Sequence, residues 1–210
     1  MSAGTSYKIY IDINCPFCFA LNERLDNLAS TIDEIEWRYI EHIPETDSIR
    51  VDPLDMVRLK EELIRLEPRA PDIRINNPGF RPNTSVIQCI LAEIGRTDVS
   101  AAKRLRDIAY KALWQGGADI SDISIIKEMM KRADCELPEI SSETLTLMTE
   151  WKEEWLSDRI EARLPSIDQT GRPPLLGLPS TQDLVFFMLR LDAEEEKAKR
   201  REFSCTGSDS

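Results

Sequence analysis

With 210 residues, 41% of them apolar and 31% charged, the sequence can bury a sizeable core and reads as an ordinary globular chain, neither disordered nor disulfide-stapled. A formal charge of -11 argues against nucleic acid as a main partner, since neutralising phosphates takes clustered Lys and Arg, and no stretch approaches the eighteen apolar residues of a membrane span. Five cysteines with one close pair do not make a secreted disulfide framework.

The first residues, "MSAGTSYKIYIDINCPFC", lack a basic region followed by an apolar stretch of signal-peptide length, so a cytoplasmic location is expected. Residues 7–13 alternate, with Tyr7, Ile9, Ile11 and Ile13 on one side and Lys8, Tyr10 and Asp12 on the other, the period of a strand. From Pro16 the period becomes helical through Leu21, Leu25 and Leu28, and proline suits a first helical turn. "EIEWRYIEHI" alternates again and predicts a second strand.

Between about residues 52 and 160 the pattern is helical. "DPLDMVRLKEELIRLE" has Asp52 as a cap and Leu59, Leu63 and Leu66 on one face. "NTSVIQCILAEIG" is expected to start at Asn83 or Thr84 and stop near Gly95. "DVSAAKRLRDIAYKALWQGG" carries Leu105, Ile108, Ala109 and Ala112 before a Gly-Gly break. "SDISIIKEMMKRADC" and "SSETLTLMTEWKEEWLSDRIEARL" follow, the latter with Trp151 and Trp155 one turn apart. Strand-like chemistry returns in "LPSID", a turn at "QTG" and "RPPLLGL". A closing helix, "STQDLVFFMLRLDAEEEKAKRR", is capped by Ser180 or Thr181.

A Cys15-Pro16-Phe17-Cys18 run at a strand-to-helix junction can perform thiol-disulfide exchange. Cys15 at the helix N-terminus, where free N–H groups favour negative charge, is the expected nucleophile, with a pKa below the roughly 8.5 of a free thiol. Cys18, one turn further in, is the expected resolving thiol. Pro16 and Phe17 tune the couple: proline holds the turn, and Phe17 offers the Cys15 thiolate no hydrogen-bond donor.

This CPFC run, Leu164-Pro165-Ser166 opening a late hairpin, and the helical block between them resemble the DsbA-like thioredoxin family, over about residues 5–195. The family includes cytosolic FrnE-type proteins, 2-hydroxychromene-2-carboxylate isomerases and kappa-class glutathione transferases. The resemblance implies an α/β thioredoxin fold with a helical domain inserted between its β-α-β half and its β-β-α half. It divides the chain into a discontinuous thioredoxin-like domain at 5–48 and 160–198, an all-helical insertion at 49–159 and a flexible tail at 199–210. It implies that Pro165 is a cis-proline beside the CxxC, with Leu164 pairing to an extended substrate; Pro179 is the rival.

The activity it implies is thiol-disulfide oxidoreduction without a bound cofactor or metal. A disulfide or thiol, protein or small molecule, would be the substrate, and glutathione a substrate or reductant, with thioredoxin as the other candidate reductant. A homodimer is compatible with it; nucleic acid and membrane are not expected partners. The family's isomerases and transferases typically carry serine where Cys15 stands, so glutathione-dependent isomerase or transferase chemistry is the alternative, beside a non-catalytic redox-sensing or binding module. Histidine is usual in DsbA where Phe17 stands, so the expected potential is nearer thioredoxin and glutaredoxin, roughly -270 to -200 mV, than DsbA at approximately -120 mV.

Other residues stay open. Asp12 reads either as a proton relay for Cys18 or as an exposed strand-end acid. Asn83 faces the active site in this family or simply caps a helix. Trp151 and Trp155 are core packing unless one lines a substrate groove. Cys89 and Cys135 are expected as core thiols and Cys205 as an exposed tail thiol. His42, the sole histidine, reads as a loop residue, and a zinc site would need two more ligands beside the CxxC.

Overall fold

The computed structural model describes residues 7–26, 28, 35–41, 53–157 and 163–189, and its centre is β1 (Tyr7–Ile11). This strand pairs in parallel with β2 (Ile35–Tyr39) and antiparallel with β3 (Ser166–Gln169), whose other side takes the short β4 (Leu175–Leu176). The sheet order is therefore β2-β1-β3-β4. The predicted strand runs to Ile13, but pairing stops at Ile11 because Asp12 turns the chain. Its carbonyl accepts from the Cys15 N–H at 3.1 Å and its carboxylate from the Asn14 N–H at 2.9 Å, an Asx-type turn.

The alternation suggested one wet face, yet Tyr10 is as buried as Ile9 and Ile11. A central strand is covered on both faces. Tyr7 donates to the Met188 carbonyl at 2.7 Å on α7 (Thr181–Met188), and the Tyr10 hydroxyl accepts from Arg38, which is ion-paired to Glu154.

Helix α1 (Pro16–Asp26) links β1 to β2, and between the two halves lie α2 (Pro53–Leu66), α3 (Ser85–Gly95), α4 (Val99–Trp114), α5 (Ile123–Arg132) and α6 (Ser142–Ser157). Asp98 and Asp122 cap α4 and α5 through side-chain bonds to Ala101 and Ser124 N–H groups, and Ser180 caps α7 through Asp183. After α4 the chain escapes through Gly116 and Gly117. A Cβ on Gly116 would lie 2.8 Å from the Ala112 carbonyl oxygen, and Gly117 has a φ of +66°, so the Gly-Gly break is sterically required. Helix α3 packs on α4, α6 and β2, and α1 packs on α2 and α4.

Strands from both ends of the chain thus share one sheet, with five helices between the halves: the α/β architecture that the resemblance implies. Asp52, His42, Cys205, the charged run at 192–201 and the rest of the predicted closing helix beyond Leu189 lie outside the described residues.

Candidate functional site

Cys15 closes the turn after β1 and opens α1: its carbonyl accepts from the Phe19 N–H at 3.1 Å, the first bond of the helix. Pro16 takes the first helical position, where its missing N–H leaves nothing unpaired. One turn on, Cys18 is brought back against Cys15, and the two thiols are hydrogen-bonded. Cys15 keeps 5% of its surface while Cys18 has none, so of the pair only Cys15 can meet a substrate. Burial first, then the Cys15 hydrogen bond and charge, push the Cys18 thiol well above its ordinary range. Phe17 is half-buried against the core.

Asp12 is not an exposed strand-end acid. It is 1% exposed, and its Oδ1 accepts from the Thr84 hydroxyl at 2.9 Å, the Gln88 amide at 2.8 Å and the Asn14 N–H. Its charge also acts on the Cys18 thiol and adds to the rise in its pKa. The same loop is pinned from the helical block. Tyr110 donates to the Asp12 carbonyl at 3.2 Å and Trp114 to the Ile13 carbonyl at 2.9 Å. Arg81 donates to the Asn14 carbonyl at 3.0 Å while paired with Glu62 at 2.6 Å, and the Asn14 amide reaches the Pro82 carbonyl.

None of Arg81, Thr84, Gln88, Tyr110 or Trp114 was singled out as a site residue from the sequence. The signal available was spacing: Thr84 and Gln88 are one turn apart, as are Tyr110 and Trp114, and each pair can serve one target from one helix face. Asn83 precedes the N-cap, Thr84, and its side chain accepts from the Ser85 N–H at 2.9 Å in an Asx turn, while the Thr84 hydroxyl goes to Asp12 instead of capping the helix.

The Leu164–Pro165 bond is the one cis peptide among the described residues, so Pro165 and not Pro179 has that geometry. Tyr10 pairs with Ser166 in the antiparallel ladder, which sets Pro165 and Leu164 beside the end of β1, where the chain leads into Cys15. Leu164 is half-buried and packed on the core, and the Pro165 carbonyl is occupied by the Gly177 N–H at 2.8 Å.

Cys89, on α3, and Cys135, in the segment after α5, are only half-buried rather than core thiols, and the Cys135 thiol donates to the Met130 carbonyl at 3.5 Å. Burial raises both, with the Glu41 carboxylate adding to the effect at Cys89. Trp151 and Trp155 are both buried, and Trp151 also lines a cleft along β2. Among the described residues no cluster of three or more His, Cys, Asp or Glu is placed to hold a metal ion, and no helix is long and apolar enough to cross a membrane.

A family model described as a DSBA-like thioredoxin domain matches residues 8–144. Comparison with curated protein sequences finds no match. Among solved structures, a Nitrosomonas europaea protein provisionally described as a protein disulfide isomerase is similar with a TM-score of 0.68 at 11% identity, covering 90% of this chain and 98% of its own. A 2-hydroxychromene-2-carboxylate isomerase is similar at 0.60 and 19% identity, covering 98% and 99%. The cytosolic disulfide reductase DsbM of Pseudomonas aeruginosa, solved with GSH, is similar at 0.59 and 12% identity, covering 89% and 100%. At these identities the structural likenesses establish the fold.

Proposed function

We infer that this chain, which belongs to the DSBA-like thioredoxin domain family, is a thiol-disulfide oxidoreductase with Cys15 and Cys18 as its redox centre. The observation that carries the reading is the pair itself: two hydrogen-bonded thiols on the first turn of a helix, one reaching the surface and the other fully enclosed. In the reductive direction the Cys15 thiolate attacks a substrate disulfide. A Cys15–substrate S–S bond forms, the substrate's own S–S bond breaks, and one substrate sulfur leaves as a thiolate that takes a proton. Cys18, surrendering its proton to Asp12, then attacks Cys15 Sγ and expels the second substrate thiol. Two electrons pass to the substrate and the Cys15–Cys18 disulfide remains.

The Leu164–Pro165 turn forms the substrate-side rim of this site, and Pro16 and Phe17 set its potential. No bound cofactor takes part; glutathione or a thioredoxin returns the electrons, and the setting is the cytoplasm. These assignments rest on the chemistry of the pair and on the family.

The test is a redox titration of a Cys89→Ser, Cys135→Ser, Cys205→Ser variant in glutathione buffers, with free thiols trapped and the intact protein weighed. The expected result is a reversible loss of two hydrogens with a potential of roughly -270 to -200 mV. Absence of an internal disulfide at every poise overturns the reading. Calorimetry with glutathione on a Cys18→Ser variant then separates the alternative. A glutathione-dependent isomerase or transferase keeps its turnover without Cys18, whereas an oxidoreductase stops at the mixed disulfide.

A further inference from the structure

On the outer flank of β2, away from the CPFC loop, the sheet edge and helices α3, α4 and α6 enclose a cleft of about 590 Å³. That volume suits a small organic ligand. Neither cysteine, nor Asp12, Leu164 or Pro165, lines it. Its walls are apolar, with Trp37, Tyr39 and Trp151 among aliphatic side chains, and into them is built a cation, Arg106 of α4, which is 2% exposed.

Arg106 is held rigidly. Its guanidinium carbon lies 3.6 Å from the centre of the Trp37 ring, its Nε donates to Asn22 Oδ1 at 2.8 Å, and the Tyr39 hydroxyl is hydrogen-bonded to it. Its charge is weakly matched. The Asp107 carboxylate stands 3.9 Å away and is engaged by Lys103 at 2.8 Å and by the Asn22 amide at 2.9 Å. Glu36, the acid on the cleft wall, is bound to Arg38 at 2.9 Å, and the other lining cation, Arg96, is paired with Glu93 at 3.2 Å. Arg106 is thus the lining cation whose nearest carboxylate is shared with other donors, set beside three aromatic side chains.

We propose that this cleft binds a small aromatic carboxylate, its ring against Trp37, Tyr39 and Trp151 and its anionic group on the Arg106 guanidinium. Planar guanidinium recognises planar carboxylate through charge-assisted hydrogen bonds, and the aromatic walls give a flat ring apolar contact. The site is independent of the thiol chemistry inferred above.

The probe is 2-naphthoate, with neutral 2-naphthamide as its isostere, titrated against the full chain while the indole N–H resonances of the four tryptophans are followed. The expected result is saturable movement of the Trp37 and Trp151 signals with those of Trp114 and Trp155 unmoved, and an affinity about tenfold or more higher for the acid than for the amide, the value of one hydrogen bond to a charged group. Arg106→Met should abolish that preference and Arg106→Lys should keep part of it. Should Arg106→Met fail to fold for loss of its Asn22 bond, the comparison of acid with amide on the unaltered protein decides. The proposal is overturned by non-saturable shifts, by equal affinity for acid and amide, or by movement centred on Trp114, whose indole reports on the CPFC loop.

Discussion

Cys18 has a thiol that cannot reach solvent, and its burial and its bond to Cys15 hold its proton on through neutral pH. Alkylation of the reduced protein with iodoacetamide at pH 7 to 8 should therefore label Cys15 and leave Cys18 untouched until the chain is unfolded; mapping the modified peptides checks this. The same shift sets a pH dependence of stability. A thiol raised in the folded state stays protonated there, while the unfolded chain releases the proton above roughly pH 8.5. The stabilisation is thus complete below that pH and is lost as pH rises from it towards the folded value. Urea unfolding of the reduced protein between pH 8 and 10 should show that decline, and Cys18→Ala should flatten it. The Asp12 charge acts on the same thiol, so with Asp12 as the proton acceptor Asp12→Asn should slow closure of the mixed disulfide by about a hundredfold, the usual scale of a lost general base. Stopped-flow measurement of that step at several pH values distinguishes a base from a mere strut, since a strut leaves the pH profile unaltered.

At the level of elements, the CPFC loop is a strand end and a helix start held by their neighbours. Helix α3 supplies Thr84 and Gln88 to Asp12, and α4 supplies Tyr110 and Trp114 to the Asp12 and Ile13 carbonyls. Thr84→Val keeps the volume but withdraws one donor from a buried carboxylate, and should lower stability by about 1–3 kcal/mol in urea titration. Ser85→Ala, which removes only a hydroxyl bonded to Asn83, should cost less. The sequence made the start of α7 legible through Ser180, and Asp98 and Asp122, which cap α4 and α5 in the structure, are residues of the same kind. It was less informative about faces. Of the expected stripe on α4, Leu105 and Ala109 are buried but Ile108 and Ala112 only half so, and the covered side also includes Arg106, Tyr110 and Trp114, set one turn apart. Those side chains are apolar along their length and polar at the tip, and a pattern that counts Arg as surface misses the row. Asp12 misled for a related reason: alternation placed it on a wet face, and only the helical block, distant in sequence, supplies the donors that let it be buried.

On the scale of the molecule, the sheet and the helical block are joined by charge as well as by core. Glu154 on α6 takes Lys8 of β1 at 2.7 Å and Arg38 of β2, with Arg38 also bound to Glu36 and to the Tyr10 hydroxyl. Arg38 is nearly enclosed, its guanidinium lying 5.3 Å from the centre of the Tyr10 ring and 5.9 Å from that of Trp151, so its charge needs a carboxylate close by. Burial works against the Glu154 anion, but the hydrogen bonds and charges of Lys8 and Arg38 outweigh it and hold the carboxyl at about 2. A carboxyl lowered in the folded state stabilises the fold at pH values above its unfolded range and loses that contribution as pH falls to the folded value. The window here runs from roughly 4.5 in the unfolded chain down to about 2. Glu154→Gln should leave the fold intact, lower stability at pH 7 by about 1 kcal/mol because solvent reaches more than a third of the Glu154 side chain, and reduce the loss of stability between pH 4.5 and 2. Glu93, held at about 2 by the Ser141 N–H and the Thr144 and Ser141 hydroxyls, titrates in the same window and is present in both proteins. The difference between wild-type and Glu154→Gln urea midpoints, measured across that range, therefore isolates the Glu154 link. Constancy of that difference with pH would mean that the ion pairs between sheet and helix α6 add nothing to the stability of the whole.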